Sequence, residues 1–158
     1  MIIQPKIKKL SQKKLIGKKL AMSLGDNKTF ELWKSFMPRR HEISNKKSND
    51  MFSLQVYKEP LRLGDLRQEF EKWALVEVSD FKNVPNGMDS FVLESGLYAV
   101  FHYKGLNTDN QIFIYIFSDW LPNSGYELDD RPHFEILGDK YKNGDPNSEE
   151  EIWIPIKK

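Results

Sequence analysis

The strongest constraint on this chain is that its patterned segments come twice in one order: strand, helix, strand, strand. In the first half, Pro5 to Leu24 reads as extended, with Ile7, Leu10, Leu15, Ile16, Leu20, Met22 and Leu24 as its apolar positions. Gly25-Asp26-Asn27 supplies turn chemistry. TFELWKSFMPRRHEI follows, with Leu32, Trp33, Phe36, Met37 and Ile43 at helical spacing, Thr29 placed to cap the start and Pro38 to end or kink it. MFSLQVY then alternates Phe52, Leu54 and Val56 against Ser53, Gln55 and Tyr57. FEKWALVEVSDF sets Trp73, Leu75 and Glu77 against Ala74, Val76 and Val78. Both read as two-faced strands. The turn-rich loop Asn83 to Asp89 divides the halves.

The second half repeats the order. GLYAVFHYKG, Gly96 to Gly105, is a strand. TDNQIFIYIFSDWLP contains IFIYIF, which is β-like by propensity. The helical spacing of Ile112, Ile116 and Trp120, a Thr108–Gln111 capping box and a stop at Pro122 make it a helix instead. PHFEILG and EEIWIPIKK close the half as two strands around a polar loop. A βαββ unit is too small to bury a good core alone. Two of them, about 8–82 and about 92–157, predict a single α+β domain spanning 1–158. Its fold is a duplicated βαββ module with pseudo-twofold symmetry. One curved antiparallel sheet carries two main helices and a central groove of the kind ligands occupy.

Composition narrows the function. The chain has no cysteine, so disulfides, thiolate metal sites and cysteine nucleophiles are excluded. The three histidines, His41, His102 and His133, lack ligand spacing, so no metal and no cofactor is expected. No phosphate loop, dinucleotide fingerprint, zinc-protease or nucleophile-elbow motif occurs. A net charge of +1 argues against a general nucleic-acid binder. The lysines crowding residues 6–19 read as the solvated face and turn of an N-terminal hairpin. With no apolar signal segment and no 18-residue apolar run, no membrane association and a cytoplasmic location are expected. Ten Phe, six Tyr and four Trp are enough to fill a core or to line a cavity.

One charge stands out. In PHFEILG, His133, Glu135 and Leu137 share one face and Phe134 and Ile136 the other. Alternation alone leaves two readings open. Glu135 points to water while Phe134 and Ile136 enter the core, or it is the carboxylate on the floor of an aromatic groove.

SGYELDDRPHFEILG, followed by an acidic loop and the closing EEEIWIPIKK, resembles the C-terminal signature of the GyrI-like small-molecule-binding domain. This is the effector-binding domain of AraC- and MerR-type bacterial transcription regulators. LIGKKLAMSL, ELWKSFMPRR and MFSLQVY are similar to a subgroup of the same family, so the resemblance runs from about Lys8 to Lys157. It implies a hydrophobic or cationic small-molecule ligand held between the modules, with Glu135 as the buried pocket carboxylate. It also implies Trp33 as the helix aromatic at the groove, and makes Tyr57, Tyr98, Phe101 and Trp120 wall candidates. The chain is too short to include the family's helix-turn-helix region beside this domain. The resemblance therefore implies a stand-alone sensing or sequestering protein linked to transcription regulation, without direct DNA binding. Two alternatives stay open. One is a glutamate-dependent hydrolase of reactive toxins, with Glu135 as base and Tyr98 or Tyr57 as hydrogen-bond donor. The other is a gyrase-inhibitor-like module acting on a protein partner.

Overall fold

The computed structural model describes residues 3–158. The strands are β1 (Lys6–Leu10), β2 (Lys13–Ser23), β3 (Lys46–Val56), β4 (Glu69–Val78), β5 (Asp89–Leu93), β6 (Gly96–Lys104), β7 (Glu127–Leu128), β8 (His133–Leu137) and β9 (Glu149–Lys157). Helix α1 (Thr29–Phe36) runs on into a 3-10 segment, Met37–Glu42. The second helical run is α2 (Gln111–Tyr115), a π turn (Ile116–Trp120) and the short α3 (Leu121–Asn123).

The strands form one antiparallel sheet in the order β1-β6-β9-β8-β3-β4-β2-β5, with β7 added on β9. The order divides into two blocks of four, three strands of each from one module, and the blocks join where β3 pairs with β8. The outermost strand of each block comes from the other half of the chain. β1 pairs with β6, and β5 pairs with β2. The N-terminal hairpin expected from the lysine-rich start is therefore not formed, because β1 crosses to the second module. This exchange ties the halves together and satisfies strands that would otherwise end each block unpaired.

Alternation sorts the side chains as the sequence suggests. One face carries Leu15, Phe52, Leu54, Trp73, Leu75, Tyr98, Val100, Phe134 and Trp153, buried without any helix above them. The sheet curls round this face and closes it on itself. The other face carries the helices in two separate clusters. Ile16, Ala74, Val76 and Val78 pack under α1. Ala99, Phe101, Ile152, Ile154 and Ile156 pack under the second helical run.

Local details differ from the sequence reading. Thr29 is the first helical residue rather than the cap, and its N–H donates to Asn27 Oδ1 at 3.0 Å. The Thr108–Gln111 box does not form; Gln111 N–H donates to Asp109 Oδ1 at 3.0 Å. Pro122 does not stop the second helix, which continues to Asn123. A proline mid-helix lacks a donor and crowds the carbonyl one turn back. The preceding turn widens into the π turn that accommodates this.

An internal repeat becomes visible once the strands are superposed through their pairing. Residues 53–76 and 133–156 correspond without a gap at an offset of 80, sharing Gly64/Gly144, Asp65/Asp145, Glu69/Glu149, Glu71/Glu151 and Trp73/Trp153. The shared letters build shared structure. Gly64 and Gly144 turn at φ 79° and 76°. Arg62 N–H donates to Gln68 Oε1, and Lys142 N–H donates to Ser148 Oγ, both at 2.7 Å. Trp73 and Trp153 donate their indole N–H groups to Glu71 and Glu151 at 2.7 and 3.1 Å.

Candidate functional site

Between the two helix-covered clusters runs a strip of the sheet that neither helix covers. Its residues follow from the register. Ser53 lies opposite Glu135 and Gln55 opposite His133 across the β3–β8 join. Gln55 also lies opposite Lys72 on β4, and Glu135 opposite Ile152 on β9. Directly opposed residues in an antiparallel pair share a face. Lys72, Gln55, Ser53, His133 and Glu135 therefore all rise from the floor of one trough. Gln55, Lys72 and Glu135 are half-buried, while Ser53 and His133 beside them are buried.

The polar groups here are held apart. The Gln55 amide, oriented to suit both neighbours, donates its N–H to the His133 carbonyl at 3.0 Å and accepts from Lys72 Nζ at 2.7 Å. Among the described residues the Glu135 carboxylate has no hydrogen-bond or ion-pair partner, and neither has Glu150. Burial drives the Glu135 carboxyl upward from its ordinary value, with the Lys72 charge opposing. Burial and then the charge of Glu135 push Glu150 up to about 8, again opposed by Lys72. Burial pulls Lys72 down, while the two glutamates hold it up. His133 is lowered to about 4 by burial, so it is neutral at neutral pH.

Aromatic rings flank this floor. Tyr57 continues the Ser53–Gln55 parity, and its ring stands edge-on to His133 at 5.3 Å and tilted against Phe70 at 5.4 Å. Phe117, on the π turn, lies 6.1 Å from the same imidazole. Burial first, and Glu135 second, raise the Tyr57 hydroxyl to about 12. Burial first, then the charges of Glu150 and Glu135, raise the Tyr141 hydroxyl to about 12. The arrangement can seat an aromatic body and offers it the unpaired carboxyl groups of Glu135 and Glu150 and the amine of Lys72.

The residues singled out from sequence divide. Glu135 and Tyr57 meet at the trough. Tyr98 does not reach it: it is fully buried on the opposite face, stacked edge-on to Phe134 and Trp153, with its hydroxyl donating to the Pro132 carbonyl at 2.9 Å. Phe101 is on the helix face but lies fully buried under the second helical run, 5.1 Å from Trp120. Trp33 is half-buried on α1, edge-on to Phe36 at 5.9 Å. Trp120 lines a different hollow, of about 410 Å³, with Pro5, Ile7, Tyr115, Asp119 and Tyr126. A further hollow of about 370 Å³ lies between α1 and the Gly87–Asp89 segment. Neither contains Glu135, and neither combines rings with a buried charge, so the chemistry points to the trough rather than to either hollow.

Lys72, Glu150, Phe117 and Tyr141 were not foreseen. Lys72 could have been found by carrying the Ala74–Val76–Val78 parity back two residues. Glu150 could have been found through the 80-residue offset, which aligns it with Phe70.

Comparison with known proteins places this geometry. Residues 6–156 match the family described as integron-associated effector binding protein. The transcriptional regulator BrlR of Pseudomonas aeruginosa is 34% identical over 130 residues, which is 80% of this chain but only 45% of BrlR. The fold is shared with the Vibrio cholerae integron cassette protein VCH_CASS2 (TM-score 0.70, 15% identity, 98% of this chain and 97% of that one). The EcmrR C-terminal domain shares it at TM-score 0.71 and 17% identity, over 100% and 99% of the two chains. SAV2435, solved with tetraphenylphosphonium bound, shares it at TM-score 0.67 and 17% identity, over 98% and 94%. No helix among the described residues is long and apolar enough to cross a membrane. With its GyrI-like fold, this chain belongs to the integron-associated effector binding protein family.

Proposed function

We propose that this chain binds a hydrophobic small molecule carrying a cationic group, with that group seated on Glu135 between the two helical runs. The observation that carries the reading is the Glu135 carboxylate itself. It is half-buried, flanked by rings, and without a hydrogen-bond or ion-pair partner in the described residues. A carboxylate withdrawn from water without a partner is costly, and a ligand cation removes that cost. Ring faces add stacking and cation–π attraction. That SAV2435 was solved with a lipophilic cation bound supports the same ligand class on this fold. The kinship with BrlR and EcmrR supports a sensing or sequestering role connected to transcription regulation.

Calorimetric titration with tetraphenylphosphonium and with neutral triphenylphosphine oxide tests this. Glu135→Gln should weaken the cation by about tenfold or more and the neutral compound by much less. Equal losses for both compounds, or none for either, would overturn the assignment.

A further inference from the structure

We propose that the trough is built for an amphoteric ligand: an aromatic body whose cationic group rests on Glu135 and whose anionic group rests on Lys72. The proposal rests on the binding role just given and adds a second pole to it.

The poles are spatially distinct. Lys72 is on β4 and Glu135 on β8, with β3 between them, so their backbones are two strand spacings, roughly 10 Å, apart. Both side chains rise from the same face. A long lysine stem could lean across and pair with a neighbouring carboxylate, as opposite charges in a poorly solvated site usually do. Here it does not. Lys72 makes no ion pair among the described residues, and its Nζ donates to Gln55. Gln55 is itself fixed by its N–H on the His133 carbonyl, so its oxygen is aimed at Lys72 rather than free to turn away. The two charges are thus held open.

The third ionisable group does not upset this balance. Glu150 is only 7% exposed, and burial beside Glu135 keeps its proton on at neutral pH. The floor offers an amine group at one end and a carboxyl group at the other. A simple monocation satisfies Glu135 and leaves Lys72 desolvated with only an amide oxygen. A ligand with both charges satisfies both poles and fixes its own orientation. The rings of Tyr57, His133 and Phe117 line the space for the body that joins the two charges.

The duplication explains how such a dipole arose. Gln55, Phe70 and Lys72 of the first module correspond to Glu135, Glu150 and Ile152 of the second. A symmetric pair of modules would present like charges across the axis. This pair presents opposite ones.

Rhodamine B and its ethyl ester share one aromatic cation and differ in a free carboxylate. Their affinities, read by fluorescence anisotropy at neutral pH, test the proposal on the unmodified protein. The free acid should bind about tenfold more tightly than the ester. Lys72→Met should abolish that preference, and Lys72→Arg should keep it. Glu135→Gln should weaken both dyes alike. An ester that binds as tightly as the acid, a preference that survives Lys72→Met, or failure of both dyes to bind would overturn the proposal. If the ester binds well and Glu135→Gln weakens it, the cation site stands without the second pole. If Glu135→Gln leaves both dyes unaffected, both readings fall.

Discussion

The two modules are built more alike on the curled face of the sheet than on the helix face. On the curled face Trp73 and Trp153 correspond, each with its indole N–H on a glutamate two residues back. Leu54 and Phe134 correspond as well, and they meet directly across the central join. On the helix face the correspondence breaks at Gln55/Glu135, Phe70/Glu150 and Lys72/Ile152. The curled face is closed core, where any change of volume is felt by its neighbours. In the trough Gln55, Lys72 and Glu135 are only half-buried, so polar side chains are tolerated there. Duplication thus supplied a rigid frame, and divergence on one strip of it supplied the chemistry.

The comparison can be broken at its closest point. Gly17 pairs with Leu75 and Tyr98 with Pro155; Leu75 and Pro155 correspond at the offset of 80, so Gly17 and Tyr98 occupy matching places. One module fills this place with a large ring and the other with nothing. Tyr98→Ala should cost about 4 kcal/mol in urea unfolding, from lost packing and a lost hydroxyl partner for Pro132. Gly17→Ala should cost nearly as much, about 3 kcal/mol, because its Cβ would collide with the Ala74 carbonyl oxygen and backbone would have to move. A neutral Gly17→Ala would show that the two positions are not the fixed points taken here.

The acidic half of the trough should be visible in the pH dependence of stability. Glu150 is raised from 4.5 to about 8, so its contribution is fully present below 4.5 and is lost as pH rises through about 8. His133 works the other way. Lowered from 6.5 to about 4, it contributes fully above 6.5 and loses that contribution as pH falls through about 4. Glu150→Gln, neutral at every pH, should match the original protein near pH 4 and exceed it by up to about 4 kcal/mol at pH 8. The acid limb should be unchanged. Thermal unfolding followed from pH 4 to 9 would show both limbs.

The smallest effects sharpen the likeness. Trp73→Phe and Trp153→Phe each remove one indole donor and some volume, and each should cost about 1 kcal/mol. A large inequality between them would mean that the curled face is less symmetric than its hydrogen bonds suggest.

Much of this was legible in the sequence, for physical reasons. Strict alternation in MFSLQVY and FEKWALVEV fixes which side chains share a face, and the structure keeps those sets. Ile152, Ile154 and Ile156 separate from Trp153 for the same reason. The same rule should have prevented one pairing of candidates. Tyr98 and Phe101 are three residues apart on one strand, so they cannot both line a single groove. The crossing of β1 and β5 to the opposite modules was not legible, because local pattern says that a segment is a strand and not which strand it joins. The π turn that carries Phe117 follows from a proline whose consequences depend on the turn before it. Lys72 shares the parity of Ala74 and Val76, which tells its face but not what lies beside it. Only the pairing with Gln55 places its charge in the trough.

The central claim concerns one carboxyl group and is most directly tested by watching that group titrate. The side-chain carboxyl carbon of Glu135, assigned by NMR with the aid of Glu135→Gln, can be followed through pH with and without saturating tetraphenylphosphonium. Without ligand it should titrate above the ordinary glutamate range, as burial requires. A cation seated on the carboxylate favours its charged form and should lower that midpoint by about one pH unit or more. A midpoint that does not move while the ligand demonstrably saturates the protein would place the cation elsewhere and contradict the account.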